Sequence, residues 1–309
     1  TPAYSWWSDG NADTPTRKIA GLSDTWIQSN FLMWHNRLMI NVGVGLPTGK
    51  TKLDTNQYFL TKVMLSENLY RFNLPVYGQG FKGKAGFGLS WPVNERIVVG
   101  GGAEYIARGS YYPIVYEYTY VDFSGNPQHR TWDKRYTPGN EATAMVGCDV
   151  QLLERLTCSL DILYTYYWQD KLADRVVFKA GGKTSLNLFF NYSYKYNHFM
   201  RARLVYRRNS RNEVYLDNDT QTKLINGNQL ELDYKASMMA SKNSYMALLV
   251  QTRYYTHSRF NSDWNALVVG GGIDIRYELD TPLFLNFTFK YTYGGFIGGE
   301  ELKQTLGLD

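Results

Sequence analysis

Apolar and polar residues alternate along this chain with a period of two. From Leu186, the residues Leu188, Phe190, Tyr192 and Tyr194 share one parity, while Asn187, Asn191 and Ser193 take the other. Leu230, Leu232, Tyr234, Ala236 and Met238 alternate in the same way with Glu231, Asp233, Lys235 and Ser237. Leu283, Leu285, Phe287, Phe289, Tyr291 and Tyr293 alternate with Asn286, Thr288, Lys290 and Thr292. Successive side chains of a strand point to opposite faces, so each segment has one greasy face and one wet one, whereas a helix would scatter both sets around its circumference. The template predicts twelve strands, near residues 24–34, 38–45, 80–93, 97–108, 141–152, 156–168, 184–194, 198–208, 228–238, 245–256, 266–279 and 283–293. Their lengths cluster near the roughly 9–11 residues that carry a tilted strand across a bilayer.

The connections add a second regularity. Very short turns, at His35, Asn94, Leu153, Lys195, Ser241 and Asp280, alternate with long loops over 46–79, 109–140, 169–183, 209–227 and 257–265. Long and short connections therefore lie at opposite ends of the strands, as in barrels with short periplasmic turns and long extracellular loops. The expected fold is all-β: one transmembrane antiparallel up-and-down β-barrel domain over residues 1–309, with about 14 strands of which twelve are visible. By the same up-and-down logic, an outward strand should precede residue 24, and the segment 300–309 should begin a returning one. The chain thus reads as mature or trimmed at both ends.

Alternation alone does not say which face points inward, because soluble barrels alternate too. Strand number decides: about eight strands enclose a space that side chains can fill, whereas a dozen leave a lumen whose lining meets water. The polar face here is ionic. It carries Lys82, Lys84, Arg108, Arg201, Arg203, Arg207, Lys235, Arg253, Arg276 and Lys290, with Glu104, Asp149, Asp161, Glu231, Asp233, Asp274 and Glu278 as partners. Of these, Lys82, Lys84, Glu104, Arg108, Arg201, Arg203, Arg207, Glu231, Asp233, Arg253, Asp274 and Arg276 are the candidates for setting lumen field and selectivity. Glu231 and Asp233 should pair with the ladder Arg201, Arg203 and Arg207 on the next strand. Left unpaired, those arginines would instead favour an anion pathway. On the apolar face, Tyr105, Tyr166, Tyr206, Tyr254, Tyr291 and Tyr293 sit toward the loops and Trp34, Trp91, Tyr194 and Tyr277 toward the turns, which predicts two interfacial girdles.

Two strands contain a run of three glycines, in "IVVGGGAEYIAR" from Ile97 and "LVVGGGIDIRYE" from Leu267. Gly100 and Gly102, and likewise Gly270 and Gly272, fall on the lumen parity. Their missing side chains either let the strand bend and its neighbours approach or make room for a solute near the wall. The first reading is the default.

Composition narrows the field. The 309 residues hold 26 Tyr, 15 Phe and 8 Trp but are only 20% charged, a balance suited to strands and polar–apolar boundaries. A net charge of +5 is spread thinly, so no nucleic-acid partner is expected. No apolar run approaches the roughly 18 residues of a membrane helix. Cys148 and Cys158 are expected to point outward on neighbouring strands, offset diagonally, and not to form a structural disulfide. The four histidines, His35, His129, His198 and His257, have no metal-ligand spacing, so neither metal nor cofactor is predicted.

Three stretches, "GLSDTWI" from Gly21, "NVGVGLPTGKTKLDTNQ" from Asn41 and "LPVYGQGFKGKAGFG" from Leu74, resemble outer-membrane transporters of the aromatic-degradation (phenol meta-pathway) type, distant relatives of long-chain fatty acid channels. The resemblance covers about the first 110 residues. The family usually has a second small residue where Ser23 stands. It implies passive uptake of small hydrophobic or aromatic molecules through a partly obstructed barrel in the outer membrane of a Gram-negative envelope, and it transfers no catalytic residue. Lipid and lipopolysaccharide, a small solute and other envelope proteins are the implied partners.

The loop from Gly109 is crowded with Tyr111, Tyr112, Tyr116, Tyr118 and Trp132 around a Ser–Gly–Asn turn. It should form a hairpin beyond the membrane, and these five residues are the candidates for ligand or partner contact. That loop keeps a second function open, a non-conducting scaffold barrel. A third, a barrel hydrolase, would need His257 and Ser258 to meet, although neighbouring strand residues face opposite ways. No enzymatic activity is expected.

Overall fold

Each alternating segment is a strand in the computed structural model, which describes residues 2–7, 17–50, 52–54, 57, 78–113, 115–121, 127–195, 198–215, 221–224, 227–241, 243–256, 265–278 and 284–297. Twelve strands form one sheet: β1 (Thr25–Met33), β2 (Leu38–Leu46), β3 (Lys82–Asn94), β4 (Ile97–Arg108), β5 (Glu141–Leu153) and β6 (Leu156–Tyr167). The second half supplies β7 (Lys183–Lys195), β8 (His198–Asn209), β9 (Asn228–Ser241), β10 (Ser244–Thr256), β11 (Asn265–Glu278) and β12 (Phe284–Ile297). Sequence neighbours are sheet neighbours throughout, every pair antiparallel. This is the up-and-down barrel wall that the sequence predicts. Among the described residues, β1 and β12 are hydrogen-bonded on one side only. The segment 300–309, expected to begin a further strand, lies outside the described residues.

The register fixes the two faces. Tyr206, Leu204 and Ala202 of β8 stand opposite Leu186, Leu188 and Phe190 of β7 and opposite Leu230, Leu232 and Tyr234 of β9. This face is open: Leu232 and Leu248 are 48% and 54% exposed. The other face carries the buried side chains, among them Val205, Ala247 and Val268 with Glu231, Ser237 and Arg253. Burial is thus reversed with respect to a water-soluble domain, in which apolar side chains fill the interior. Cys148 and Cys158 are free and share the outward parity, opposite Leu160 and Val150 respectively.

The glycine runs mark close approach. A Cβ built on Gly102 would sit 2.3 Å from the Phe87 carbonyl oxygen, and one on Gly272 would sit 2.3 Å from that of Phe289. Only a residue without Cβ lets the neighbouring backbone come this near, as a curved wall requires. Gly102 lies between Gly88 and Met145, whereas Gly272 lies between Leu249 and Lys290, so the two runs line different parts of the lumen.

At the long-loop end, short strands extend the wall. Tyr136–Thr137, Gln169–Leu172, Arg175–Lys179, Asn212–Tyr215 and Gln221–Leu224 form a five-stranded sheet that ties together the loops after β4, β6 and β8. Pro2–Trp7 pairs with Arg17–Leu22, and Val115–Val121 pairs with Pro127–Asp133, the hairpin expected for the aromatic loop.

The motifs from Gly21 and Asn41 meet in space. Thr25 donates its backbone N–H to Thr48 Oγ1 (2.9 Å), while Asp24 accepts the N–H groups of Gly49 (3.1 Å) and Gln79 (2.7 Å). A carboxylate holding two amides locks the exits of β2 and the entry of β3 onto the start of β1. Gly49 is confined by this clasp: an added Cβ would lie 2.6 Å from the Gly78 nitrogen and 2.9 Å from the Leu22 oxygen. Gly49→Ala is therefore expected to cost about 1–3 kcal/mol, read as a lower urea midpoint for unfolding in detergent micelles. An unchanged midpoint would mean that the clasp yields freely.

Candidate functional site

The inward parity of the wall gathers nearly every ionic side chain of the strands. Toward the loops, Lys84 meets Glu104 at 2.8 Å, crossing the gap left by Gly86, and Arg108 meets Glu141 at 2.6 Å. Lys82 lies 4.0 Å from Asp24 and also bonds Gln79. Strand geometry explains the diagonal reach, because Glu104 stands directly opposite Gly86 and so leaves the lysine an open path.

Deeper in the second half, Glu231 is the hub. It is 1% exposed. Arg207 donates to its Oε2 at 2.9 Å, Gln229 donates at 3.2 Å, and Arg203 and Arg253 lie at 3.7 and 3.9 Å. Three of these contacts follow from register, since Arg253 stands directly opposite Glu231 on β10 and Val205, on β8, leaves the carboxylate flanked by Arg203 and Arg207. Asp233 stands opposite Arg203 and lies 3.5 Å from it, and it accepts from Gln251 at 3.0 Å. Lys235 reaches past Ala247 to Asp274 on the second strand over, at 2.6 Å, and Thr288 donates to the same carboxylate at 2.8 Å. Arg276 and Glu278 pair at 3.3 Å where both are open to water, a contact of little energetic weight.

The arginine ladder therefore divides. Arg203 and Arg207 pair with Glu231 and Asp233 as expected. Arg201 does not: its register partner is Lys235, its Nε donates to Asn191 at 3.1 Å, and its guanidinium lies 4.3 Å from the Phe199 ring centre. Parity alone could not separate it from its neighbours, because the difference is one step of register. Sequence reasoning also missed Glu141, Gln251 and Thr288 as partners. Extending the alternation of Thr143 and Met145 by one more step would have found Glu141.

In the first half the lumen is lined mainly by small residues. Gly88, Ser90, Gly100 and Gly147, with Met39 and Met145, border a cavity of about 450 Å³ that Asp149 and Asp161 also reach. In the second half, cavities of about 590 and 500 Å³ share Arg201 and Lys235. The first cavity is therefore glycine-lined with two carboxylates at its edge, whereas the other two bring cations and carboxylates together.

Among the loop candidates, Tyr111 is buried and packs edge-on against Tyr136 at 5.6 Å, with their backbones exchanging two hydrogen bonds. Its ring is spent on the loop itself. Tyr112 is exposed, with Lys52 5.9 Å from its ring centre. Tyr116 and Tyr118 pair through their backbones with Trp132 and Arg130 in the hairpin. His257 and Ser258, the pair that a hydrolase would need, lie outside the described residues.

Fold and lining together define a class, a β-barrel wall with an apolar exterior and an ionic interior. No family model matches the chain, and no curated protein does. Among solved structures, the crystal structure of a Pseudomonas aeruginosa FadL homologue matches at 10% identity and a TM-score of 0.43 over 94% of this chain and 75% of that one.

Proposed function

We propose that the chain forms the wall of an outer-membrane barrel that passively admits small hydrophobic or aromatic solutes through a partly obstructed, charge-lined lumen. One observation carries this reading: apolar side chains are exposed on the outward face while Glu231 and Arg253 are buried on the inward one. A surface of this kind is stable where the surroundings are acyl chains, and lumen charges then face water instead of lipid. The exposed tyrosines near the loop ends of the strands and Trp34 and Trp91 near the turns suit the two headgroup boundaries. The glycine-lined and methionine-lined side of the lumen gives an apolar solute a surface to follow, and no catalytic step is part of the reading.

Cells whose outer membrane contains the protein are expected to accumulate a labelled aromatic hydrocarbon several-fold faster than cells without it. Equal rates would refute uptake. They would favour the second reading, a closed scaffold whose extracellular sheet holds other envelope proteins, which draws its support from the five-stranded layer at the loop end.

A further inference from the structure

We propose that the lumen contains a binding site for a small organic anion, formed by Arg201, Arg203 and Lys290 and fitted to an aromatic carboxylate. This deepens the uptake reading by naming a solute class and rests on that reading for its consequence, though not for its geometry.

The register makes the case. Arg201 stands directly opposite Lys235, and Lys235 opposite Leu249, Leu249 opposite Gly272 and Gly272 opposite Lys290. Three cations thus occupy one cross-strand row, although like charges placed opposite each other destabilise a sheet. Lys235 is answered by Asp274. Among the described residues, neither Arg201 nor Lys290 has a carboxylate within ion-pair distance. Arg203 spends its Nη1 on Glu231 and Asp233, yet its Nε is buried without a hydrogen-bond partner among the described residues. Cations in excess beside a buried guanidinium donor match the chemistry of an anionic ligand.

Arg201, Arg203, Lys235 and Lys290 border the same cavity of about 590 Å³, large enough for a single-ring solute. The cavity also has aromatic character, since Phe189 lines it and the Arg203 guanidinium lies 5.5 Å from that ring. A planar carboxylate matches a guanidinium fork, and an attached ring stacks on the phenylalanine. Inorganic anions meet the charge requirement but leave the ring surface unused.

The test is equilibrium dialysis of labelled benzoate against the full chain in a neutral detergent, with benzyl alcohol as the uncharged comparison. Saturable benzoate binding is expected, and the double variant Arg201→Gln with Lys290→Gln should bind about tenfold more weakly or worse, while benzyl alcohol is unaffected. The same variant should unfold at an equal or higher urea concentration, because it relieves a like-charge row; a purely structural role for these cations predicts a lower one. Absence of saturable benzoate binding, undiminished binding by the variant, or a destabilised variant would each overturn the proposal. Benzoate binding without solute uptake in cells would keep the site and refute uptake. Uptake without benzoate binding would do the reverse.

Discussion

Glu231→Ala is expected to lower the unfolding free energy by about 3–5 kcal/mol, the scale seen when one partner of a buried ion cluster is removed. The carboxylate is 1% exposed and lies within 4 Å of Arg203, Arg207 and Arg253. Without it, the guanidiniums of Arg203 and Arg207 on β8 and Arg253 on β10 repel one another, and Asp233, which keeps its contact with Arg203, is the carboxylate that β9 still offers them. The measurement is urea-induced unfolding from lipid vesicles. Glu231→Gln should recover part of the loss through hydrogen bonding but not the charge balance. A change below about 1 kcal/mol would mean that water already solvates the cluster, as for an exposed pair.

The second large effect concerns the other face. Leu204→Arg places a charge near the middle of β8 on the outward parity, between Leu188 and Leu232. In an acyl environment this should cost about 2–4 kcal/mol. Ser159→Lys, on the inward parity of β6 and directly opposite Asp149, should change stability by less than about 1 kcal/mol, since it gains a partner in a wet interior. If both substitutions cost the same, the outward face is not bathed in lipid, and the assignment of inside and outside fails.

The sequence discloses an element only where the alternating pattern is long enough. Leu186 to Tyr194 spans enough positions for parity to be unmistakable, and the strand found there, Lys183–Lys195, extends the expected 184–194 by one residue at each end. Tyr136–Thr137 and Gln169–Leu172 are too short to show any period, so the sheet at the loop end was invisible as a sheet. The inward placement of Arg201 and Arg203 was legible, but their contrasting fates were not. Both are arginines on one face of one strand, and what separates them is whether Lys235 or Asp233 stands opposite, which is set by the pairing of two strands 18 or more residues apart in sequence. The glycine runs were legible as an anomaly. Their cause, a carbonyl 2.3 Å from where a Cβ would be, belongs to the curvature of the assembled wall.

The five-stranded layer has a practical consequence for anyone who would re-engineer the mouth. Because strands from three successive loops share one hydrogen-bonded ladder, transplanting a single loop into another barrel would sever ladder bonds, on both flanks for the middle loop and on one for the other two. Even the tip at 173–174 is tied to the loop before it, with Ala173 N–H donating to the Arg135 carbonyl at 2.8 Å and Arg135 pairing with Asp174 at 2.7 Å, so grafts of binding function must move the three loops as a block.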